Sequence, residues 1–312
     1  MNVANAAPDE AKALESTATA AVPDHVEDPG AALTLASAGR GTVAASDTSA
    51  VSLPATADGT IALSAIDGGN LVSTGLTIGL PDNAAYGSAR TTPTSASYEG
   101  DRASSVAQPF ADGLRISTII QNAESPGSYS YALPEDITPV LLADGSVKLA
   151  ATFVGEAADE SVTIEFGTVA PAWATDAKGN AVPTHYEVDK GELRQVVDFT
   201  ADTAFPVVAD PTFWWGWNAF VSNSVHHKLA NLLAIGAGTA AVAAVLVGLI
   251  PNAYVQTASK MAVAMIGVGV ALFNGCNANG RGVILGWTYL AGGIPPQLAP
   301  WWVRQGYFCL PQ

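Results

Sequence analysis

The last third of the chain has no carboxylate side chains. All 28 acidic residues lie between Asp9 and Asp210, and residues 211–312 contain neither Asp nor Glu. An even distribution would place about nine acidic residues there. The change in composition predicts a boundary next to Asp210, and it is typical of a segment directed at a membrane or another anionic surface.

Basic residues are also scarce. The chain has 13 Lys and Arg residues against 28 Asp and Glu, which gives a formal net charge of -15. Proteins that bind nucleic acid need a basic surface for the phosphates, so this composition excludes that class. The acid-free segment itself carries a small positive charge from Lys228, Lys260, Arg281 and Arg304.

Familiar catalytic and metal-binding signatures are missing. The sequence has no nucleophile elbow, no glycine loop with Lys for phosphate and no His-Glu-x-x-His. Adjacent His226 and His227 would point to different sides of a helix, and no second group of ligands accompanies them. We therefore expect a protein that is not an enzyme and that binds no metal or cofactor. A catalytic triad assembled only in the folded chain stays open as an alternative.

The N-terminal residues 1–58 are rich in small and polar residues and lack apolar periodicity, which predicts a flexible low-complexity region. No apolar signal-peptide core is present, although Ala4-Asn5-Ala6 resembles the cleavage end of one. Either this start is simply disordered, or it is the end of an export signal. Two cysteines suit one disulfide in an oxidising compartment, so we expect a secreted or cell-surface protein.

Residues 59–211 form an acidic segment with the pattern of a β-rich domain. Asp144-Gly145 lies between two strand-like runs, and Asp189-Lys190-Gly191 lies between two more. Both are typical hairpin turns. Strands about ten residues apart predict a β-sandwich-like domain. Phe205-Pro206-Val207-Val208 is expected to form an edge strand, because Pro lacks a donor for the strand ladder.

Three stretches of this segment resemble a module of uncharacterised exported proteins of actinobacteria. They are Pro171-Ala172-Trp173-Ala174-Thr175-Asp176-Ala177, Val182-Pro183-Thr184-His185-Tyr186-Glu187-Val188 and Phe205-Pro206-Val207-Val208-Ala209-Asp210-Pro211. In that family a β-rich stem ends in a "YPVVADP"-like motif and precedes a variable, bacteriocin-like C-terminal segment. Here Phe205 stands where Tyr is commoner. The resemblance implies export and a stem, and it assigns no catalytic residues.

Two apolar runs follow the boundary. Residues 229–250 would form a helix of about 33 Å, enough to cross a hydrocarbon layer of about 30 Å. A second run, 255–273, follows Pro251-Asn252, so we expect an antiparallel apolar α-helical hairpin. Small residues that recur along one side predict a close helix-helix seam, which could also support self-association. They are Gly236, Ala240, Ala244, Gly248, Gly267, Ala271 and Gly275.

Aromatic and basic side chains surround these runs and are expected to contact lipid, the aromatic ones at the interface and the basic ones at anionic headgroups. They are Trp214, Trp215, Trp217, Lys228, Lys260, Arg281, Trp287, Trp301, Trp302 and Arg304. Cys276 and Cys309 are expected to form a disulfide that closes the last loop, with two free thiols as the alternative. A hairpin buried inside a water-soluble domain is the alternative to the membrane.

Together these patterns predict an α+β fold in three parts: a disordered region 1–58, a β-sandwich-like domain 59–211 and a helical segment 212–312. The predicted function is an exported, non-enzymatic protein whose hairpin associates with a lipid membrane, as a bacteriocin-like antimicrobial peptide carried by an acidic stem. The alternative is a surface-displayed structural or adhesion protein with the hairpin as its transmembrane anchor. The sequence leaves the identity of any protein partner open.

Overall fold

The structure, a computed structural model, describes residues 6–27, 29–39, 41–46, 49–67, 70–81, 87–111, 113–189, 191–250, 270–287 and 307–312. The chain divides into two units. Unit 1 comprises residues 1–149 and 168–215, and unit 2 comprises residues 150–167 and 216–312. The described residues are mostly in strands, with few helices. The α+β prediction is therefore wrong, and the fold is β-rich.

The described helices are α1 Ala6–Ala20, α2 Asn223–Ala234, α3 Thr239–Leu249 and α4 Val270–Cys276. The first ten strands are β1 Ala36–Ala38, β2 Gly41–Ala45, β3 Ser49–Leu53, β4 Thr60–Asp67, β5 Asn70–Gly79, β6 Arg90–Thr91, β7 Ala96–Tyr98, β8 Ala103–Phe110, β9 Gly113–Ile120 and β10 Ser128–Ala132. The others are β11 Thr138–Leu141, β12 Val147–Val154, β13 Ser161–Val169, β14 Trp173–Thr175, β15 Thr184–Asp189, β16 Glu192–Val197, β17 Val207–Asp210, β18 Thr212–Ser222, β19 Gly282–Trp287 and β20 Tyr307–Pro311.

Unit 1 is built from antiparallel hairpins. Strands β1 to β5 follow one another in a five-stranded sheet, and β10, β16 and β15 form a three-stranded sheet. The expected hairpin around residues 189–191 is the β15–β16 pair, with Thr184 opposite Val197. Strands β6 to β9 form a third group, in which β8 and β9 pair along their whole length. Tyr129 and Tyr131 of the three-stranded sheet are fully buried, so this sheet forms a second layer over β9 and its neighbours.

The N-terminal region contains helix α1 and strands β1 to β3, so the prediction of a disordered start is wrong for the described residues. Alanine favours helix, and a helix with small side chains can lie close to a sheet. Ala18 packs with Val106, Ile119 and Trp173 in one apolar cluster. The low hydrophobicity of residues 1–58 predicted disorder. Hydrophobicity does not register how closely small side chains such as Ala18 can pack on a sheet.

Strand β17 is an interior strand. It pairs with β9 on one side and with β14 on the other, which corrects the expectation of an edge strand. Pro206 lies one residue before the strand begins, so its missing N–H removes no bond from either ladder.

The apolar run 229–250 is two short helices. Helix α2 ends at Ala234, because Gly236 takes a positive φ of 72° and lets the chain turn. Ala237 N–H donates to the Leu232 carbonyl and Gly236 N–H to the Leu233 carbonyl, which is the Schellman pattern of a helix end. The predicted hairpin of two long helices is therefore wrong, and its second helix falls largely in residues 251–269, outside the described ranges. Among the described helices, none has the length and apolar character needed to cross a membrane.

Unit 2 contains carboxylates from an earlier part of the chain. Residues 150–167, the end of β12, the turn and most of β13, supply four acidic residues, and the tail supplies four basic ones. Unit 2 is thus formally neutral, and the net charge of -15 resides in unit 1. Lys228 pairs with Glu160 at 2.5 Å, and the Ser224 hydroxyl donates to Asp159. The missing acids of the tail are therefore no sign of an anion-seeking surface.

Replacing Gly248 by Ala tests the expected helix seam. In a close helix pair an added methyl group would clash, whereas in the structure no described atom lies within 4 Å of a Cβ placed there. We expect the Gly248→Ala protein to be more stable by roughly 0.5–1 kcal/mol, because Ala favours helix over Gly. Urea unfolding measures the change. A clear loss of stability would instead support the predicted close-packed helix seam.

Candidate functional site

The three stretches that carry the family resemblance meet in unit 1. Trp173 in β14 lies opposite Asp210 in β17. The Tyr186 hydroxyl in β15 donates to the Asp210 carbonyl at 3.3 Å, and the Gln195 amide donates to the Trp173 carbonyl at 3.2 Å. Residues 22 to 37 positions apart along the chain are thus neighbours in unit 1.

A buried ion pair lies at the end of this motif. Arg115 Nε lies 3.2 Å from Asp210 Oδ2 and donates to Thr212 Oγ1 at 3.1 Å. The Thr212 hydroxyl donates to the same carboxylate oxygen at 2.5 Å. The Arg115 guanidinium also lies over the Phe110 ring, 5.7 Å from its centre. These contacts join β9, β17 and β18 within unit 1.

Burial dominates the electrostatics of Asp210, whose side chain is 0% exposed. Loss of solvent raises its pKa to about 6, and the Thr212 hydroxyl and Arg115 offset only part of this effect. Asp210 Oδ1 and Arg115 Nη2 have no hydrogen-bond partner among the described residues. Because the carboxyl group is out of reach of solvent, its role in this conformation is to hold strands together.

Buried tyrosines surround the motif on the other sheet layer. The hydroxyls of Tyr131 and Thr118 are hydrogen-bonded at 2.9 Å, and the Tyr131 ring meets the Phe213 ring edge to face. Burial raises the pKa of Tyr131 and that of Tyr186 well above the ordinary range. Neither phenol ionises near neutral pH, so both act as neutral packing and hydrogen-bonding groups.

Asp176 organises the turn after β14. Burial raises its pKa, but the backbone N–H and side-chain amide of Asn180, with the N–H groups of Lys178 and Ala204, outweigh this and lower the pKa to about 2. Gly179 takes the positive φ of 82° that the turn requires. The carboxylate therefore ties the segment before β17 to the turn after β14.

The second polar site lies in unit 2. Cys276 at the end of α4 and Cys309 in β20 form the expected disulfide, with their Cα atoms 5.8 Å apart. Next to it, Asn277 donates to Asn223 at 2.7 Å and accepts from the Gly282 N–H at 2.9 Å. The C-terminal Gln312 amide donates to Val221 and Val283. Side-chain amides thus fix the end of the chain to β18 and β19.

The residues expected at a membrane do not form one surface among the described residues. Trp214 is half-buried in β18, and Lys228 is paired with Glu160. Arg281 is exposed in the turn before β19. The backbones of Trp215, Trp217 and Trp287 belong to β18 and β19, while their side chains lie outside the description. Lys260, Trp301, Trp302 and Arg304 fall outside the described ranges.

The small residues of the expected seam are spread over separate elements. Ala240, Ala244 and Gly248 lie on the exposed side of α3, whose other side buries Val242 and Leu246. Gly236 ends α2, and Gly275 is exposed in α4, the helix that also contains Ala271. Gly267 lies outside the described residues.

Sequence reasoning did not single out Arg115, Thr212 or Asn277. Arg115 gave a usable signal, because a lone charged residue inside an apolar strand requires a counter-charge. Its partner, 95 positions later, has no local pattern that would identify it. Among the described residues, no group of three or more His, Cys, Asp or Glu side chains could hold a metal ion.

Comparison with known proteins gives little. No protein-family model matches the chain, and no curated protein matches it. A structural search finds "Structure of the gh92 family glycosyl hydrolase ccman5", with a TM-score of 0.26 and 10% identity. The match covers 78% of this chain and 36% of the other, so the chain spans little more than a third of that protein. A likeness this low supports no argument about reaction or substrate.

Three functional predictions are withdrawn. The absence of a membrane-spanning helix among the described residues contradicts the membrane-active, bacteriocin-like or antimicrobial hairpin, and it equally contradicts the hairpin as an anchor. The prediction of a protein without enzymatic activity is also withdrawn: the matched structure is that of an enzyme, but the similarity is too low to assign an activity, or the lack of one, to this chain.

Protonation of Asp210 gives unit 1 a defined pH dependence. Its folded pKa of about 6 lies above the ordinary value of 3.8, so the folded chain binds this proton more tightly than the unfolded chain. Between pH 7 and pH 4, Asp210 should therefore add up to about 3 kcal/mol to the free energy of unfolding. Urea unfolding of the native protein and of Asp210→Asn at each pH isolates the effect.

Asp202→Asn, at an exposed position, controls for the loss of one negative charge. The difference in stability between the native protein and Asp210→Asn should grow as the pH falls. Parallel pH profiles would show that Asp210 does not titrate in this range.

The disulfide should stabilise unit 2 alone. The bond joins residues 33 positions apart. Closing a loop of this length adds about 3.7 kcal/mol to the free energy of unfolding in the chain-entropy model. In the Cys276→Ser, Cys309→Ser double variant, amide exchange should become faster in β19 and β20 and stay unchanged in β9. Equal protection of β20 in both proteins would contradict this prediction.

Proposed function

We propose that the chain is an exported scaffold protein: unit 1 is a stable extracellular stem, and unit 2 is the part that engages a partner. The observation that carries the proposal is that the end of the 205–211 motif is buried inside unit 1. Asp210, its most polar residue, is fully buried and bonded inside unit 1. A motif whose polar residue makes only internal contacts serves to define the fold, and a defined, stable fold is what a stem requires.

The resemblance to exported proteins supports the assignment of roles. In those proteins a β-rich stem that ends in the motif precedes a segment that varies. A constant stem with a variable end is typical of proteins in which recognition belongs to the end. In this chain the corresponding end lies in unit 2.

The disulfide supports export. Both cysteines of the chain are used in one bond between α4 and β20. Structural disulfides persist in oxidising compartments and are rare in reducing ones. The strongly acidic unit 1 also favours solubility outside the cell, because net charge keeps molecules apart.

Secretion with and without the buried carboxylate tests the stem. We expect the chain, fused to a secretion signal in a bacterial host, to accumulate intact in the medium. Asp210→Ala leaves Arg115 buried without its counter-charge, which typically costs 3–5 kcal/mol, so roughly tenfold less protein should survive. Asp202→Ala should accumulate like the native protein.

Two outcomes would overturn the proposal. If Asp210→Ala accumulates and resists protease as well as the native protein, the motif does not hold the stem together. If intact mass shows two thiols instead of a disulfide in protein taken from the cells that naturally make it, export is wrong.

A further inference from the structure

His226 connects two helices of unit 2 and has both ring nitrogens in use. It lies on α2, is 2% exposed and stacks on the Phe273 ring of α4 with 4.6 Å between ring centres. Nε2 lies 3.1 Å from the Phe273 carbonyl, and Nδ1 lies 3.1 Å from the Asn277 amide nitrogen. A carbonyl only accepts and an amide NH₂ only donates, so the ring is neutral with its proton on Nε2.

A second proton on Nδ1 would have no acceptor. Asn277 presents its NH₂ group to this nitrogen, and its oxygen already accepts the Gly282 N–H at 2.9 Å. Its NH₂ group also donates to Asn223, which favours the same orientation. Protonation therefore places two donors face to face and removes the bond to Asn277.

In the part of the chain that the structure describes, no carboxylate is hydrogen-bonded or ion-paired to the ring. Helix α3, helix α4 and strand β19 contain no acidic residue, because the whole tail has none. His227, with 5.6 Å between the ring centres, lowers the pKa of His226 and so disfavours an imidazolium. Of the other charged groups near α2, Lys228 pairs with Glu160 and Asp159 accepts from Ser224. Arg281, exposed directly before β19, has the same sign of charge as an imidazolium.

We propose that His226 is a pH-sensitive latch, which holds α4 and the disulfide-bonded end of the chain against α2 at neutral pH and releases them on acidification. Burial supports this direction, because it lowers the pKa of His226 and His227 lowers it further, against the opposite effect of the Phe273 carbonyl. A lowered folded pKa means that the contact is fully formed above about pH 6.5 and weakens below it. The released element includes Cys276, at the end of α4.

The rate at which a phosphine reduces Cys276–Cys309 reports the opening. In the closed state Cys309 is buried and Cys276 is half-buried, so opening of the latch should make the bond more accessible to the reagent. Rates at pH 7.5 and pH 5.5, each divided by the rate for urea-unfolded protein at the same pH, remove the intrinsic effect of pH. We expect the corrected rate to rise by up to about tenfold on acidification, the limit set by an open-state pKa near 6.5.

Three variants assign the effect. His226→Gln should show a corrected rate that no longer depends on pH, and His227→Gln, at an exposed position, should keep the native dependence. Asn277→Asp places a carboxylate beside Nδ1, so acidification should now slow the reduction. This reversal still decides the question if His226→Gln fails to fold.

A native rate independent of pH would overturn the latch. So would a pH dependence that persists in His226→Gln, because another group would then control the opening. An Asn277→Asp protein that still opens on acidification would show that Nδ1 is not where the second proton binds. None of these outcomes bears on export or on the stem, which the secretion experiment tests separately.

Discussion

A folded unit whose C-terminal 97 residues contain no carboxylate must take its negative charges from elsewhere in the chain. Here the turn between β12 and β13 provides them, through Glu160 to Lys228 and through Asp159 to Ser224. Glu165 in β13 lies within 3.5 Å of the Asn218 amide in β18. The acid-free tail is therefore one part of a neutral unit, and the part that completes it lies about 60 residues earlier.

Unit 1 depends on a different arrangement of charge. Its surface is strongly acidic, yet a buried ion pair among its described residues joins an Arg and an Asp 95 positions apart. Buried pairs often contribute little net stability, but removing one partner is costly because the other charge stays buried. The Arg115–Asp210 pair therefore acts mainly to determine which strands become neighbours. Asp210 ends β17, Thr212 begins β18, and Arg115 lies in β9.

The features that could be predicted are those with local chemical causes. Asp144-Gly145 forms a tight turn because Gly145 takes a φ of 85°, and the β15–β16 hairpin follows from the turn residues around Gly191. The two cysteines pair as expected. The errors have longer-range causes: the Ala-rich α1 is ordered by a surface that includes Trp173, and Gly236 ends a helix inside an apolar run that hydropathy alone treats as continuous. The ion-pair partner of Arg115 and the acids of unit 2 depend on contacts that only the folded chain shows.

Asp210 and His226 show how one physical cause can have opposite effects within a chain. Burial favours the neutral form of both groups, so it raises the pKa of the carboxyl and lowers that of the imidazole. For Asp210 the neutral form carries a proton, and acidification removes a carboxylate whose burial costs more than its contacts with Thr212 and Arg115 return. For His226 the neutral form lacks the proton, and acidification imposes such a cost where no carboxylate is near. Mild acid should therefore strengthen unit 1 and weaken the C-terminal contacts of unit 2, so a single unfolding temperature for the whole chain would conceal both responses. This difference matches the proposed roles, since a stem must persist under conditions in which the part that engages a partner changes.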